Sequence, residues 1–296
     1  MILVLIAACV VLDPVITRVF VFSNEVHGAA KVHRMFDEVH PGEIPILGSS
    51  RADGSFVPDL IHPDAYNYGI QQAGYTVTRM MLETELRKQS TTPIIINFEY
   101  TFFHEQDADI ANFIPSLGHS EVRPCMGDRQ RWFHRIPLLR YFGHMDDYFR
   151  SFLADRSTRN VRSRGAFFLT APFSREAFER TVSQRRSTRF GWNGEWPARD
   201  AWVELLGSTE RPIAVVVAPY HPAWMESFTT PEAGQAYLAR MDALPNVTVI
   251  DLGAMPLPDS CFLNTTHVNY TGAKAFSKVL AQRLNEVGFF DRSAIP

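Results

Sequence analysis

Four short apolar runs, separated by stretches of helical pattern, constrain this chain more than any other feature. They are Ile44-Pro45-Ile46-Leu47, Ile94-Ile95-Ile96-Asn97-Phe98-Glu99, Ile213-Ala214-Val215-Val216-Val217-Ala218 and Val247-Thr248-Val249-Ile250-Asp251. Short, near-continuous apolar runs read as strands buried on both faces, the habit of a parallel sheet covered by helices. A further short strand ends in Tyr66-Asn67-Tyr68-Gly69. Between the runs the apolar spacing turns helical: Val32, Met35, Phe36 and Val39, then 75–89 with Val77, Met80 and Met81 on one face, then 230–243 and 272–287. The expectation is an α/β chain, a three-layer α/β/α sandwich in which 44–48, 93–99, 212–218 and 246–251 share one parallel sheet. In such sheets a ligand crevice lies beyond the carboxyl ends of the strands. Ser50, Gly69, the 97–100 stretch and 219–221 all fall at those ends.

The 296 residues carry a formal net charge of -3 and 21% charged side chains, an ordinary globular balance. That charge is no footprint for nucleic acid, and there is no basic helix interleaved with aromatics, zinc-ligand spacing or glycine-rich phosphate loop. No nucleic-acid partner and no cofactor is expected. His104, Glu105, Asp107 and Asp109 are metal-like in composition, but nothing in their spacing fixes a geometry, and they read as a solvated acidic loop; no metal is expected. The three cysteines, Cys9, Cys125 and Cys261, form no disulfide framework. They read as isolated thiols, with a Cys125–Cys261 pair as the alternative in an oxidising compartment.

Met1 to Leu12 is unbroken apolar sequence, followed by Asp13-Pro14 and a second apolar stretch to Phe22. Twelve apolar residues fall short of the roughly 20 that a spanning helix needs. The segment reads either as part of a membrane anchor over 1–23 or as a buried helix. The anchor is preferred, because twelve residues with no polar face suit a soluble core poorly, and it should then project from the body as a helix. The remainder, 24–296, reads as one domain interrupted by an insertion at about 101–205. From Glu121 to Asp200 there is no Lys, many Arg, and repeated aromatics such as Trp132, Phe142, Phe149 and Trp192. Either this insertion is helical with a solvated Arg face, or it forms a lid or docking surface.

Ser50 lies after the first run in Gly48-Ser49-Ser50-Arg51, where a glycine permits a sharp turn into a helix. The helix N-terminus offers backbone N–H groups to a developing oxyanion. A serine hydroxyl needs a base. His267, in Asn264-Thr265-Thr266-His267-Val268-Asn269 ahead of the last helix, is placed to reach the strand ends.

Together these segments resemble the SGNH/GDSL hydrolases, whose fold is flavodoxin-like. Gly48-Ser49-Ser50 is similar to the family's nucleophile turn, which implies Ser50 as nucleophile, so that Ser50→Ala should abolish acylation and Ser49→Ala spare most of it. Gly69 in Asn67-Tyr68-Gly69 matches the oxyanion-hole glycine, with Ser50 as a second donor. His267 matches the histidine of the terminal Asp-x-x-His block. Two positions depart from the pattern. Asn97 in Ile96-Asn97-Phe98-Glu99 is a loose match to the block whose asparagine lends a third oxyanion donor, and alternation could turn it to the sheet. Asn264 stands where the acid belongs. Four readings stay open: Asn264 orients His267, Asp259 supplies the acid, a Ser–His dyad suffices, or there is no catalysis. Arg51 and His221 are candidates for substrate binding, Arg51 alternatively for capping the sheet edge.

The form Gly-Ser-Ser-Arg with His-Val-Asn-x-x-Gly-Ala looks like a membrane-anchored branch concerned with cell-envelope and polysaccharide O-acylation. The resemblance covers 44–100 and 212–287. It implies an esterase or O-acyltransferase acting on an acyl ester, such as an acetyl ester of an envelope glycan, on the extracytoplasmic side of a bacterial membrane (periplasm or cell surface). It also leaves room for a membrane-bound acyltransferase as partner. The competing expectation is a non-catalytic envelope module that keeps the fold and binds a glycan or a protein.

Overall fold

The structure is a computed structural model that describes residues 1–104, 108–154, 161–168, 170, 173–192 and 197–291. Strand β1 (Ile44–Leu47) is followed by β2 (Ala65–Asn67) and β3 (Ile94–Asn97). A separate two-stranded antiparallel pair, β4 (Val161–Ser163) and β5 (Ala166–Phe168), precedes β6 (Ile213–Val217) and β7 (Val247–Asp251). The main sheet has the order β2-β1-β3-β6-β7, and every pairing in it is parallel. Ile94 pairs with Ile213 and Asn97 with Val216, so the runs at 93–99 and 212–218 are parallel to one another. The chain is an α/β protein with a five-stranded parallel sheet between helical layers.

The apolar runs are continuous because each strand feeds two cores. Ile94, Ile96, Ile213, Val215 and Val217 point to one face; Ile95, Ala214 and Val216 point to the other. The first face is covered by α2 (Gly28–Asp37), α5 (Tyr75–Leu86), α8 (Pro197–Gly207) and α10 (Pro231–Asp242). The second is covered by α3 (Ser50–Ser55), α4 (Pro58–Ile61) and the long α11 (Tyr270–Glu286), through residues such as Ala52, Phe56, Phe276 and Leu280. Burying side chains of this size contributes about 1.5–3 kcal/mol each before chain entropy is counted.

The rest of the chain departs from the expected helical insertion. Between β3 and α8 it is built mostly from 3-10 turns, with α6 (Met145–Ala154), α7 (Arg175–Arg186) and the β4–β5 hairpin. Prolines at 115, 124 and 137 break the α pattern. The hairpin lies on the sheet edge: Asn67 N donates to Arg164 O at 2.9 Å. Gly165 (φ +86°) turns it, in a conformation and a closeness to Asn67 O that a side chain would not tolerate. Helix α8 lies within the span read as insertion, yet Trp202 and Leu206 are fully buried against the first face, so the sheet framework resumes near Pro197. The short α9 (Pro222–Met225) follows β6.

At the N-terminus, α1 (Ile2–Ile16) continues as a π-helical turn, Thr17–Val21. Among the described residues its hydrogen bonds to the body come from Asp13 and, just beyond the helix, Thr17. The Asp13 carboxylate accepts from Leu138 N (2.7 Å) and from Arg140 (2.9 and 2.5 Å), while Leu3 and Val10 are exposed. Among the described residues no helix is long and apolar enough to cross a membrane.

Candidate active site

The carboxyl ends of β1, β2, β3 and β6 converge on one region. After β1, Gly48 adopts φ +145°, and a Cβ there would press on Ala52 and Asn97. The chain turns at Gly48, and Ser49 caps α3, its Oγ accepting from Arg51 N at 3.0 Å. Ser50 is then the first residue of the helix and half-buried. From the other side, the loop before α11 brings His267, also half-buried. Ser50 Oγ and His267 Nε2 are 2.9 Å apart across 217 residues of chain.

Asn264 lies behind the imidazole. Its Oδ1 accepts from Thr266 N and His267 N, both at 2.9 Å, and stands 3.1 Å from His267 Nδ1. Two backbone donors fix which end of the amide faces the ring, so the oxygen and not the NH2 meets Nδ1. That favours the Nδ1–H tautomer and leaves the Nε2 lone pair for the Ser50 proton. The Thr266 hydroxyl joins the relay: Oγ1 lies 2.9 Å from His267 Nδ1 and donates to Asn264 Oδ1 at 3.0 Å. Thr266 was not singled out from sequence; the Asn-x-Thr-His spacing is the only local signal for it. Burial, aided by the Arg51 charge, lowers the His267 pKa to about 4, so the ring is neutral at neutral pH and able to accept a proton.

Asp259 sits elsewhere. Its Oδ1 is 3.3 Å from His221 Nε2, and no hydrogen bond joins it to His267. His221 Nδ1 accepts from Ala223 N, which caps α9, and the ring packs edge-on to Phe178 and Phe262. With both nitrogens engaged, His221 reads as a structural residue of the rim.

Arg51 is only 2% exposed. Its Nη2 donates to Ala218 O (2.6 Å) and Pro219 O (2.9 Å), and its guanidinium lies 3.4 Å from the Tyr220 ring centroid. The residue therefore caps the end of β6 from beneath the nucleophile. Glu99 is buried beside it and receives Ser49 Oγ and Asn97 Nδ2 (3.1 Å). Burial raises the Glu99 pKa, with Arg51 and Ser49 opposing. Ser49 is thus committed to its cap and to Glu99, which leaves Ser50 as the serine available to His267.

The expected oxyanion donors are arranged differently. Gly69 N–H donates to Asn67 Oδ1 at 2.8 Å, and Gly69 O accepts from Lys31 Nζ at 2.5 Å. A side chain at Gly69 would collide with Asp53 N, so the glycine is required for contact with the α3 backbone. Asn97 Nδ2 is engaged by Glu99. The Ser50 N–H remains, as a first-turn amide with no intrahelical acceptor. A buried ion pair, Lys31 Nζ to Asp53 Oδ1 at 2.7 Å, lies below the same turn and had no signal in the sequence beyond a lysine on the apolar face of α2.

The metal-like cluster is not assembled among the described residues: Asp109 caps a 3-10 turn at Ala111 N (2.9 Å), and Glu105 and Asp107 lie outside them. Cys9, Cys125 and Cys261 are free thiols.

No family model matches the chain. No curated protein matches it either. Among solved structures it is similar to one described as "a putative platelet activating factor" from Streptococcus pneumonia, at 12% identity and TM-score 0.41, covering 92% of this chain and 97% of that one.

Proposed function

We propose that the chain is a serine-dependent ester hydrolase or O-acyltransferase of the SGNH type. The observation that carries this reading is the 2.9 Å contact of Ser50 Oγ with His267 Nε2, backed by an amide oxygen oriented at Nδ1. In the proposed cycle Ser50 Oγ attacks an ester carbonyl while its proton passes to His267 Nε2. The tetrahedral oxyanion takes the Ser50 N–H. Collapse expels the alcohol, which leaves with the proton from His267. Water or a sugar hydroxyl then gives its proton to His267 and attacks the acyl-serine. Collapse breaks the acyl–Oγ bond, Ser50 Oγ leaving with the proton returned from His267 as the acid is released or the acyl group transferred. The substrate class is an acyl ester, an acetylated envelope glycan in the full form of the proposal, with a membrane-bound acyltransferase as donor partner and α1 holding the domain outside the cytoplasmic membrane.

One arrangement favours a second reading, a non-catalytic module that binds a glycan or partner protein. Gly69 N–H and Asn97 Nδ2 are both engaged internally, so two of the three donors such a site uses are occupied. Labelling with a fluorophosphonate probe separates the two. Covalent phosphonylation mapped to Ser50 and abolished by Ser50→Ala is the expected result. An unlabelled, folded wild-type protein refutes the enzyme reading and leaves the binding module.

A further inference from the structure

Among the described residues, the exposed large hydrophobic side chains fall almost entirely in two stretches, 1–19 and 132–153; only Val39 and Val287 lie elsewhere. The two stretches are neighbours in space. Arg140 and Leu138 N hold Asp13, Thr17 Oγ1 meets Tyr141 OH at 2.5 Å, and Phe20 packs against Phe152 at 5.1 Å and Phe149 at 6.3 Å between centroids. Their exposed members are large: Leu3 is 81% exposed, Trp132 72% and Phe142 70%. A contiguous exposed apolar surface of this kind marks a contact with a membrane or another protein.

We infer that the 132–153 segment is an interfacial platform that lies on an anionic phospholipid bilayer while α1 inserts beside it. Three observations favour lipid over a protein partner. Residues 1–12 are apolar throughout and give α1 no polar face up to Asp13, so this part of the helix can be satisfied all round only by something that solvates all round, as acyl chains do. The platform combines exposed Trp and Phe with arginine, the composition of a headgroup boundary. Between 131 and 150 the chain has four arginines against two aspartates, and Arg131, Trp132 and Arg135, with Asp128 and Gln130, line one open hollow of about 510 Å³ that sets two arginines beside the exposed indole. Asp13, the one acid in α1, is already held by Arg140, so docking the helix on the platform leaves no bare carboxylate facing the bilayer.

The inference rests on the proposed anchoring by α1 but adds a second, separately testable contact. The test uses the full chain with vesicles of phosphatidylglycerol and phosphatidylcholine, the latter brominated in its acyl chains. Trp132 is one of five tryptophans; Trp192, Trp202 and Trp224 are buried and Trp196 lies outside the described residues, so the Trp132 component is taken as the difference between wild type and Trp132→Phe. Expected are co-flotation with the vesicles, bromine quenching of the Trp132 component, and at least about a tenfold loss of affinity for anionic over zwitterionic vesicles in Arg131→Glu/Arg135→Glu. Co-flotation without Trp132 quenching overturns the platform and leaves the α1 anchor standing. Affinity indifferent to lipid charge also overturns it. No flotation overturns both the platform and the anchor, and a dimer in solution that shields Trp132 overturns the platform.

Discussion

At the site, two neighbouring serines have opposite fates because one hydroxyl is claimed by structure and the other is not. Ser49 caps α3 and donates to buried Glu99, so Ser49→Ala removes a helix cap worth about 0.5–2 kcal/mol and strips an acceptor's partner. The expectation that this substitution spares most of the acylation concerns the chemistry alone: fluorophosphonate labelling of Ser50 should persist while the denaturation midpoint falls. The pH behaviour turns on Asn264. Burial and then the Arg51 charge lower the His267 pKa to about 4, with no carboxylate behind the ring to oppose them, and its neutral, basic form prevails above that value. The acid limb of kcat/KM should therefore lie near pH 4. Asn264→Asp puts a negative charge beside Nδ1, which stabilises the imidazolium, and should move that limb up by about 1–3 pH units while preserving or raising activity at pH 7–8. An unmoved limb would show that His267 is not the titrating base. Asp259→Ala touches only the His221 pair, whose carboxylate is largely exposed, and should change stability by at most about 1 kcal/mol with the pH profile intact.

The elements that shape the site meet at their ends, and the tightest meeting is between α3 and the loop after β2. Gly69 lies against the backbone of Asp53, and Asn67 ties the two together, its Nδ2 donating to Ala52 O (2.7 Å) and Phe56 O (3.1 Å) and its Oδ1 accepting from Gly69 N. Gly69→Ala must push α3 away from β2, and α3 carries Ser50. The expected result is a loss of both stability and labelling rate. A purely oxyanion role for Gly69 would instead spare the melting temperature, so thermal unfolding of the variant distinguishes the two.

Across the whole molecule, α2, α3 and the β2 loop are joined by one buried ion pair. Lys31 and Asp53 are both almost fully buried, and Lys31 also holds Gly69 O. Burial raises the Asp53 pKa and the Lys31 charge opposes that rise. Removing one partner leaves an uncompensated charge in the interior, so Lys31→Met should cost about 3–5 kcal/mol in chemical denaturation. Replacing both, Lys31→Met with Asp53→Leu, should recover much of that loss. A double variant no more stable than the single one would show that Lys31 acts chiefly through Gly69 O.

The sequence by itself determined the sheet. Ile94 to Ile96 and Ile213 to Val217 are apolar at every position, and only a strand covered on both faces can use such a run, so the parallel pairing followed from composition and length. The helices at 75–86, 231–242 and 270–286 were legible for the same reason, through one-sided apolar spacing. Ser50 and His267 were legible as candidates because strand ends and the loop before a terminal helix are fixed by the topology. Only the tertiary structure decided how the polar groups around them are shared. The engagement of Gly69 N–H by Asn67, of Asn97 by Glu99, of Arg51 by the β6 carbonyls and of Asp259 by His221 depends on distances between residues far apart in the chain. Periodicity records which face of an element is buried; it holds no record of which buried donor finds which acceptor.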